Sequence, residues 1–212
     1  MEKSDTNKYD VMDIRFKFKT TNGQEIPVYE GIPVSDIHID AINKRLRRLY
    51  GPENERRKAD YRYNCHGLTL INKLGWIGPI IPKKSHFIIS GNAQNSSAQE
   101  NENDQIIEDI LHGNGFRVKY EFSNRDIAVL KGDEDIKEGD IAVYKAMIQK
   151  IKKIQHTALI VGFFKVNNKI CDIKVLSKMR YGAEYFHKFR KVPDELGKII
   201  EIWTDRETQQ CE

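Results

Sequence analysis

Residues 157–164 constrain the fold of this chain more than any other stretch. They run Thr157-Ala158-Leu159-Ile160-Val161-Gly162-Phe163-Phe164. The run is short, rich in β-branched and aromatic side chains, and followed at Asn167-Asn168 by a two-residue turn signal, so it reads as a strand. Residues 170–176 then return beside it as a hairpin. Upstream, the turn over 136–140 feeds a further strand over 141–144, and residues 116–122, 185–189 and 198–203 are additional strand candidates. The first half of the chain is different. Residues 14–19 alternate apolar and polar, Thr21-Asn22-Gly23 is a turn signal, and 25–29 return as the second strand of an N-terminal hairpin. Ile39, Ile42, Leu46 and Leu49 follow helical spacing, with Asp40 early and Gly51 as the stop. Leu68, Ile71 and Leu74 share a second helical face ended by Gly75, and Ile106, Ile107, Ile110 and Leu111 form a third, ended by Gly113 and Gly115. Residues 91–104, small and polar, read as an exposed loop, and the lysine-rich 147–154 as a loop or hairpin tip. Helices come first and strands dominate later, which predicts an α+β fold of N-terminal helices packed on an antiparallel β-sheet.

A chain of 212 residues suits one domain over 1–212, with 1–30 as a tail and hairpin extension and 52–205 as the core. The net charge of +4 is mild and the cations are spread along the chain. The densest cluster, Lys44-Arg45-Leu46-Arg47-Arg48, falls at a helix end where cations suit the helix dipole, so nucleic acid is not an expected partner. Cysteines are three, Cys65, Cys171 and Cys211, an odd and sparse set that does not suggest a disulfide framework. No Cys-x₂-Cys or His-x₃-His spacing points to zinc, and no cofactor motif is present. The N-terminus has no apolar signal-peptide region and no apolar run reaches membrane-spanning length. A soluble cytoplasmic protein, or one exported without a signal peptide, is expected.

Chemistry concentrates around Cys65. Asn64 is a good N-cap residue, which sets Cys65 in the first turn of a helix. A thiol there faces unpaired backbone N–H groups that stabilise thiolate and can receive an oxyanion. The plainer reading is a buried cysteine packing as a small hydrophobe. His156, at the mouth of the apolar strand, is the partner such a thiol needs, because a strand-borne imidazole is rigid enough to be held within hydrogen-bond reach.

These segments resemble a known family. Asn64-Cys65-His66-Gly67-Leu68-Thr69-Leu70 is similar to the D-C-S-G-L-V nucleophile helix of NlpC/P60-like (papain-like) cysteine hydrolases. Gly139-Asp140-Ile141-Ala142-Val143-Tyr144, followed by His156-Thr157-Ala158-Leu159-Ile160-Val161-Gly162, is similar to their G-D-L-V-F-F and H-V-G-I-Y-I-G pair, in the same order. The resemblance covers roughly residues 60–180. It implies a Cys65 nucleophile, a His156 base, a polar third residue on the following strand, and cleavage of a peptide, amide or related acyl bond in a peptide or protein substrate without metal or cofactor. Asn64 and His66 depart from that pattern. They resemble a divergent branch with N-C-H-[GS] at the nucleophile and a later S-K-W-G-x₂-G-x₃-H segment, of which Ser177, Lys178 and His187 are kept here.

A two-residue turn at Asn167-Asn168 opposes His156 to Met179 and Ala158 to Ser177. Residues 156, 158, 177 and 179 then share one face, and Ser177 is a diagonal neighbour able to accept the Nδ1–H bond that orients His156. In that register Lys178 points the other way. His187 and His66 are candidates for lining the site or supporting the imidazole, and Asn64 for capping. His38, His86 and His112 read as surface histidines. If an amine instead of water resolved the thioester, the enzyme would be an acyltransferase. The non-enzymatic alternative is a papain-like module that uses the groove to bind a peptide or protein.

Overall fold

The computed structural model describes residues 14–31, 33–77, 97–122, 136–167, 169–179 and 181–205. Cys211, His86 and residues 91–96 of the expected polar loop lie outside them. The N-terminal hairpin forms as the alternation predicts, from β1 (Ile14–Lys19) and β2 (Glu25–Tyr29). The first helix, α1 (Asp36–Tyr50), is stopped at Gly51, whose φ of 87° suits glycine. There follow β3 (Glu55–Arg57), α2 (Cys65–Leu70), α3 (Ser97–Gly113), β4 (Arg117–Phe122), β5 (Ile141–Ile148), β6 (Ile151–Val166), β7 (Lys169–Lys178), β8 (Glu184–Lys188) and β9 (Ile199–Thr204).

Seven strands form one sheet in the order β3-β8-β7-β6-β5-β9-β4, with every pairing antiparallel. The long strand β6 is its centre. One face of the sheet lies under α1, with Leu46 and Tyr50 packed against Tyr144, Ala158, Ile160, Val175 and Tyr185. The opposite face carries Ile141, Val143, Ile154 and Trp203 against α3 and the N-terminal hairpin through Ile107, Ile110, Leu111, Ile26 and Val28. α2 lies on this second face. The fold is therefore mixed α+β, with few helices and a large antiparallel sheet.

One loop expectation is corrected, and the hairpin tip expected over 147–154 is found. Residues 97–104 belong to α3, where Asp104 Oδ1 accepts the Ile154 backbone N–H at 3.1 Å and Oδ2 lies 3.6 Å from Lys153 Nζ. The lysine-rich 147–154 is nearly all strand, folded back at Gln149 and Lys150, whose φ angles of 49° and 67° make a tight turn. The β6–β7 register near the expected site is the anticipated one, with Leu159 opposite Leu176 and Ile160 opposite Val175. Irregularities at 160/162 and 164/165 cancel along the hairpin.

Candidate active site

Asn64 organises the start of α2. Its Oδ1 accepts the Gly67 N–H at 2.8 Å and its Nδ2 donates to Ile77 O at 2.7 Å, so one side chain caps the helix and ties it to the chain beyond. Gly67 is needed for close approach, since a Cβ there would lie 1.9 Å from Gly75 O. The helix stops after six residues, earlier than the 68/71/74 pattern predicts. Asn72 and Lys73 take left-handed φ angles of 49° and 69°, and Leu74 is 49% exposed. So short a helix has a small dipole, and the environment of Cys65 is set by individual N–H groups instead.

Cys65 is buried, and the backbone N–H groups of Thr157, His66 and Cys65 itself act on its sulfur to favour thiolate. Burial outweighs them and pushes the thiol up to about 11. The Thr157 contact has a topological cause. The β6–β7 ladder ends at Leu159 and Leu176, whereas β7 continues to Lys178 by pairing with β8. The two strands part beyond that point, and the Thr157 N–H is left for the sulfur.

His156 is not joined to Cys65. Side chains alternate across a strand. Thr157 faces α2, where its Oγ1 meets His66 Nδ1 at 3.1 Å and Thr69 Oγ1 at 3.2 Å. His156 accordingly faces the α1 side, opposite Tyr144 in the ladder and with its ring 5.4 Å from the Tyr144 ring. Among the described residues no hydrogen bond links it to Cys65, and its buried Nε2 has no partner. Burial, with the neighbouring His66 and His187, holds its pKa well below the ordinary imidazole range.

Ser177 does share the α1-side face, but its Oγ bonds His187 Nε2 at 2.6 Å instead of His156. His187 Nδ1 lies 2.8 Å from Lys188 O, an acceptor only, so Nδ1 carries the proton and Ser177 donates to Nε2. The His187 ring stacks on Tyr50 at 4.4 Å, and burial lowers its pKa to about 4.

Lys178 points to the other face, as the register predicts, and that is the face of Cys65. Its Nζ donates to Gly182 O at 2.5 Å and sits 4.7 Å from the centroid of the Tyr63 ring. Burial lowers its pKa to about 8, while Asp60, Glu184 and Cys65 act in the opposite sense. Glu184 is buried alongside, accepting the Tyr63 hydroxyl and standing 2.9 Å from Lys73 Nζ.

His66 belongs to a polar chain whose direction is fixed. Cys65 O can only accept, so Thr69 Oγ1 donates to it at 2.8 Å. Thr69 therefore accepts from Thr157, and Thr157 accepts from His66 Nδ1–H. Burial lowers the His66 pKa to about 4.

The structure thus gathers Cys65, Asn64, His66 and Lys178 on one face, and His156, Ser177 and His187 on the other. Thr157, Thr69, Tyr63 and Glu184 belong to the first group and escaped sequence reasoning. Their only signal is position, with Thr157 next to His156, Thr69 one turn after Cys65, Tyr63 two residues before Cys65 and Glu184 three residues before His187. Among the surface histidines, His38 Nδ1 lies 2.8 Å from Ser35 Oγ, and the His112 ring lies edge-on to Trp203 at 5.0 Å. Among the described residues no group of three or more histidine, cysteine or acidic side chains is placed to hold a metal ion. No helix described is long and apolar enough to cross a membrane. Comparison with protein-family models, curated proteins and solved structures finds no match.

Proposed function

We propose that this chain is a papain-like, NlpC/P60-like cysteine hydrolase that cleaves a peptide, amide or related acyl bond with Cys65 as the attacking atom. The observation that carries the reading is the burial of Cys65 at the first position of a helix capped by Asn64, with nearby backbone N–H groups favouring its thiolate. Fixed N–H donors around a nucleophile favour its anion and are suited to receive the oxyanion that forms next to it. In the reaction the thiol loses its proton and sulfur bonds to the carbonyl carbon. The carbonyl π pair moves to oxygen. Collapse expels the amine, which takes up a proton, and water resolves the thioester. His156 is the expected base. In this structure its ring faces the other side of β6, so turnover requires a rearrangement that brings it to the sulfur. Incubation with thiol-directed acyl and peptidyl probes tests this. Label is expected at Cys65 and turnover is expected to vanish in Cys65→Ala with the fold retained. Full turnover by Cys65→Ala refutes the reading.

A second reading has its own support. The thiol is protonated at rest and the imidazole of His156 lies on the other sheet face, which suits a papain-like module that binds a peptide or protein without cutting it. Peptide binding unchanged by Cys65→Ala, with no labelling and no cleavage, favours it.

A further inference from the structure

We propose that Lys178, in place of His156, is the charge partner of the Cys65 thiol, a buried ammonium on the sulfur's own side of the sheet that stabilises the thiolate and the oxyanion formed on attack. The oxyanion part rests on the hydrolase reading, whereas the thiolate part is read directly from the thiol.

Lys178 is fully buried, a rare state for lysine without a paired carboxylate. Yet among the described residues no carboxylate lies within 4.0 Å of its Nζ, and its hydrogen bond goes to the neutral Gly182 carbonyl. Glu184, the nearest acid on β8, is engaged by Tyr63 and Lys73. The groups facing the amine are Glu184 from β8, Asp60 and Tyr63 from the segment before α2, Lys73 from the turn after it, and Cys65 itself. Of these, Cys65 is the one whose charge changes when it acts as a nucleophile. A buried cation with incomplete compensation is best accommodated beside a site where negative charge develops. A purely structural lysine, holding the 179–183 turn through Gly182 O, would require no coupling to the thiol.

The Lys178 amine is the positioning group in this scheme. Near neutral pH it is already protonated, so the thiol proton goes to solvent or to His156 and the ammonium charge stays in place. Above about pH 8 the amine loses its proton, and its hold on the thiolate fades.

The test is the alkylation rate of Cys65 by iodoacetamide across pH 6–10 in the folded full-length protein, with Cys65→Ser as the blank for Cys171 and Cys211. Lys178→Met is expected to slow alkylation at pH 7 by about tenfold or more, the effect of removing a nearby opposite charge. Lys178→Arg, which keeps the charge, should stay within about threefold of wild type. If Lys178→Met does not fold, the wild-type profile decides. A log-rate slope that flattens through about pH 8 supports the proposal, and an unbroken unit slope overturns it. A tenfold loss in His156→Gln with none in Lys178→Met also overturns it while leaving the hydrolase reading intact. Absence of Cys65 alkylation at every pH removes the hydrolase reading and this inference together.

Discussion

The two faces of β6 carry polar clusters of opposite character. On the α2 face, Cys65, Lys178, Glu184, Lys73 and Tyr63 form a group that holds full charges in the interior, with Glu184 paired to Lys73 and Lys178 left without a paired carboxylate among the described residues. On the α1 face, His156, Ser177, His187, Tyr144 and Tyr50 are buried, with hydrogen bonds holding Ser177, His187 and Tyr144 while Tyr50 Oη and His156 Nε2 have no partner among the described residues. Only the strand lies between them, so the same backbone separates a site suited to generating an anion from one that excludes charge. A nucleophile and a base divided in this way do not form a resting dyad. Whatever thiol chemistry occurs begins from the charged face.

The sharpest way to break this contrast is to remove its central acid. Glu184→Ala strands Lys73 and the Tyr63 hydroxyl and removes one of the two acids that act on Lys178. Uncompensated buried charge typically costs about 3–5 kcal/mol, and a loss of that size is expected in urea unfolding. A loss below about 1 kcal/mol would mean that the cluster is solvated and the charged face is not distinct. The buried histidines, His156 and His187 on the neutral face and His66 beside Thr157 on the other, predict acid sensitivity. The folded-state pKa values of His187 and His66 are lowered to about 4, and that of His156 lies well below the usual 6.5. The unfolded chain therefore takes up protons first as pH falls. Stability from these groups is complete above about pH 6.5 and declines from there through about pH 4. A loss of about 2–3 kcal/mol per histidine across that window is expected in denaturation titrations. Flat stability between pH 6.5 and 4 would show that the imidazoles are hydrated and not excluded.

Much of this architecture was legible in the sequence, but not the faces. The register read from the sequence holds at Leu159/Leu176 and Ile160/Val175, where the ladder ends, and Asn64 announced the start of α2. What the alternation cannot say is which face a distant helix will cover. That choice depends on the bulge between Tyr144/His156 and Lys145/Ile154, and on Thr157 meeting Thr69 from 88 residues away. The loop expectation over 97–104 failed for a similar reason. Those residues look solvated because of their charges and amides. In the fold, Asp104 accepts from the Ile154 N–H and faces Lys153, so local polarity is cancelled by remote partners. α2 ends early because the chain turns left-handed at Asn72 and Lys73 to bring Gly75 against Gly67, a contact no helical periodicity encodes.

A smaller effect is expected from Thr157→Val, which removes the hydroxyl that accepts from His66 and donates to Thr69 on the charged side of β6. It leaves His66 Nδ1–H without its acceptor in the interior, and a loss of about 1–3 kcal/mol should follow. Because the backbone N–H that meets Cys65 is untouched, thiol alkylation at Cys65 should change less than stability does. A large fall in alkylation with unchanged stability would tie the hydroxyl, not the N–H, to the sulfur.

The smallest stability change, with the sign reversed, is expected on the neutral face. His156 Nε2 is buried and unpartnered, so replacing the imidazole by leucine removes a desolvated polar atom and no hydrogen bond. His156→Leu should leave stability at pH 7 within about 1 kcal/mol of wild type or raise it, and the decline below pH 6.5 should become shallower by one histidine's share. Turnover separates the two roles of this residue. If it is the base that reaches the sulfur after rearrangement, His156→Leu abolishes activity in a protein no less stable than wild type, the pattern of a residue kept for function. If the variant is destabilised by several kcal/mol, the imidazole is a structural member of the α1 face, held by partners that form in solution, and the division between a charged side and a neutral side must be redrawn around it.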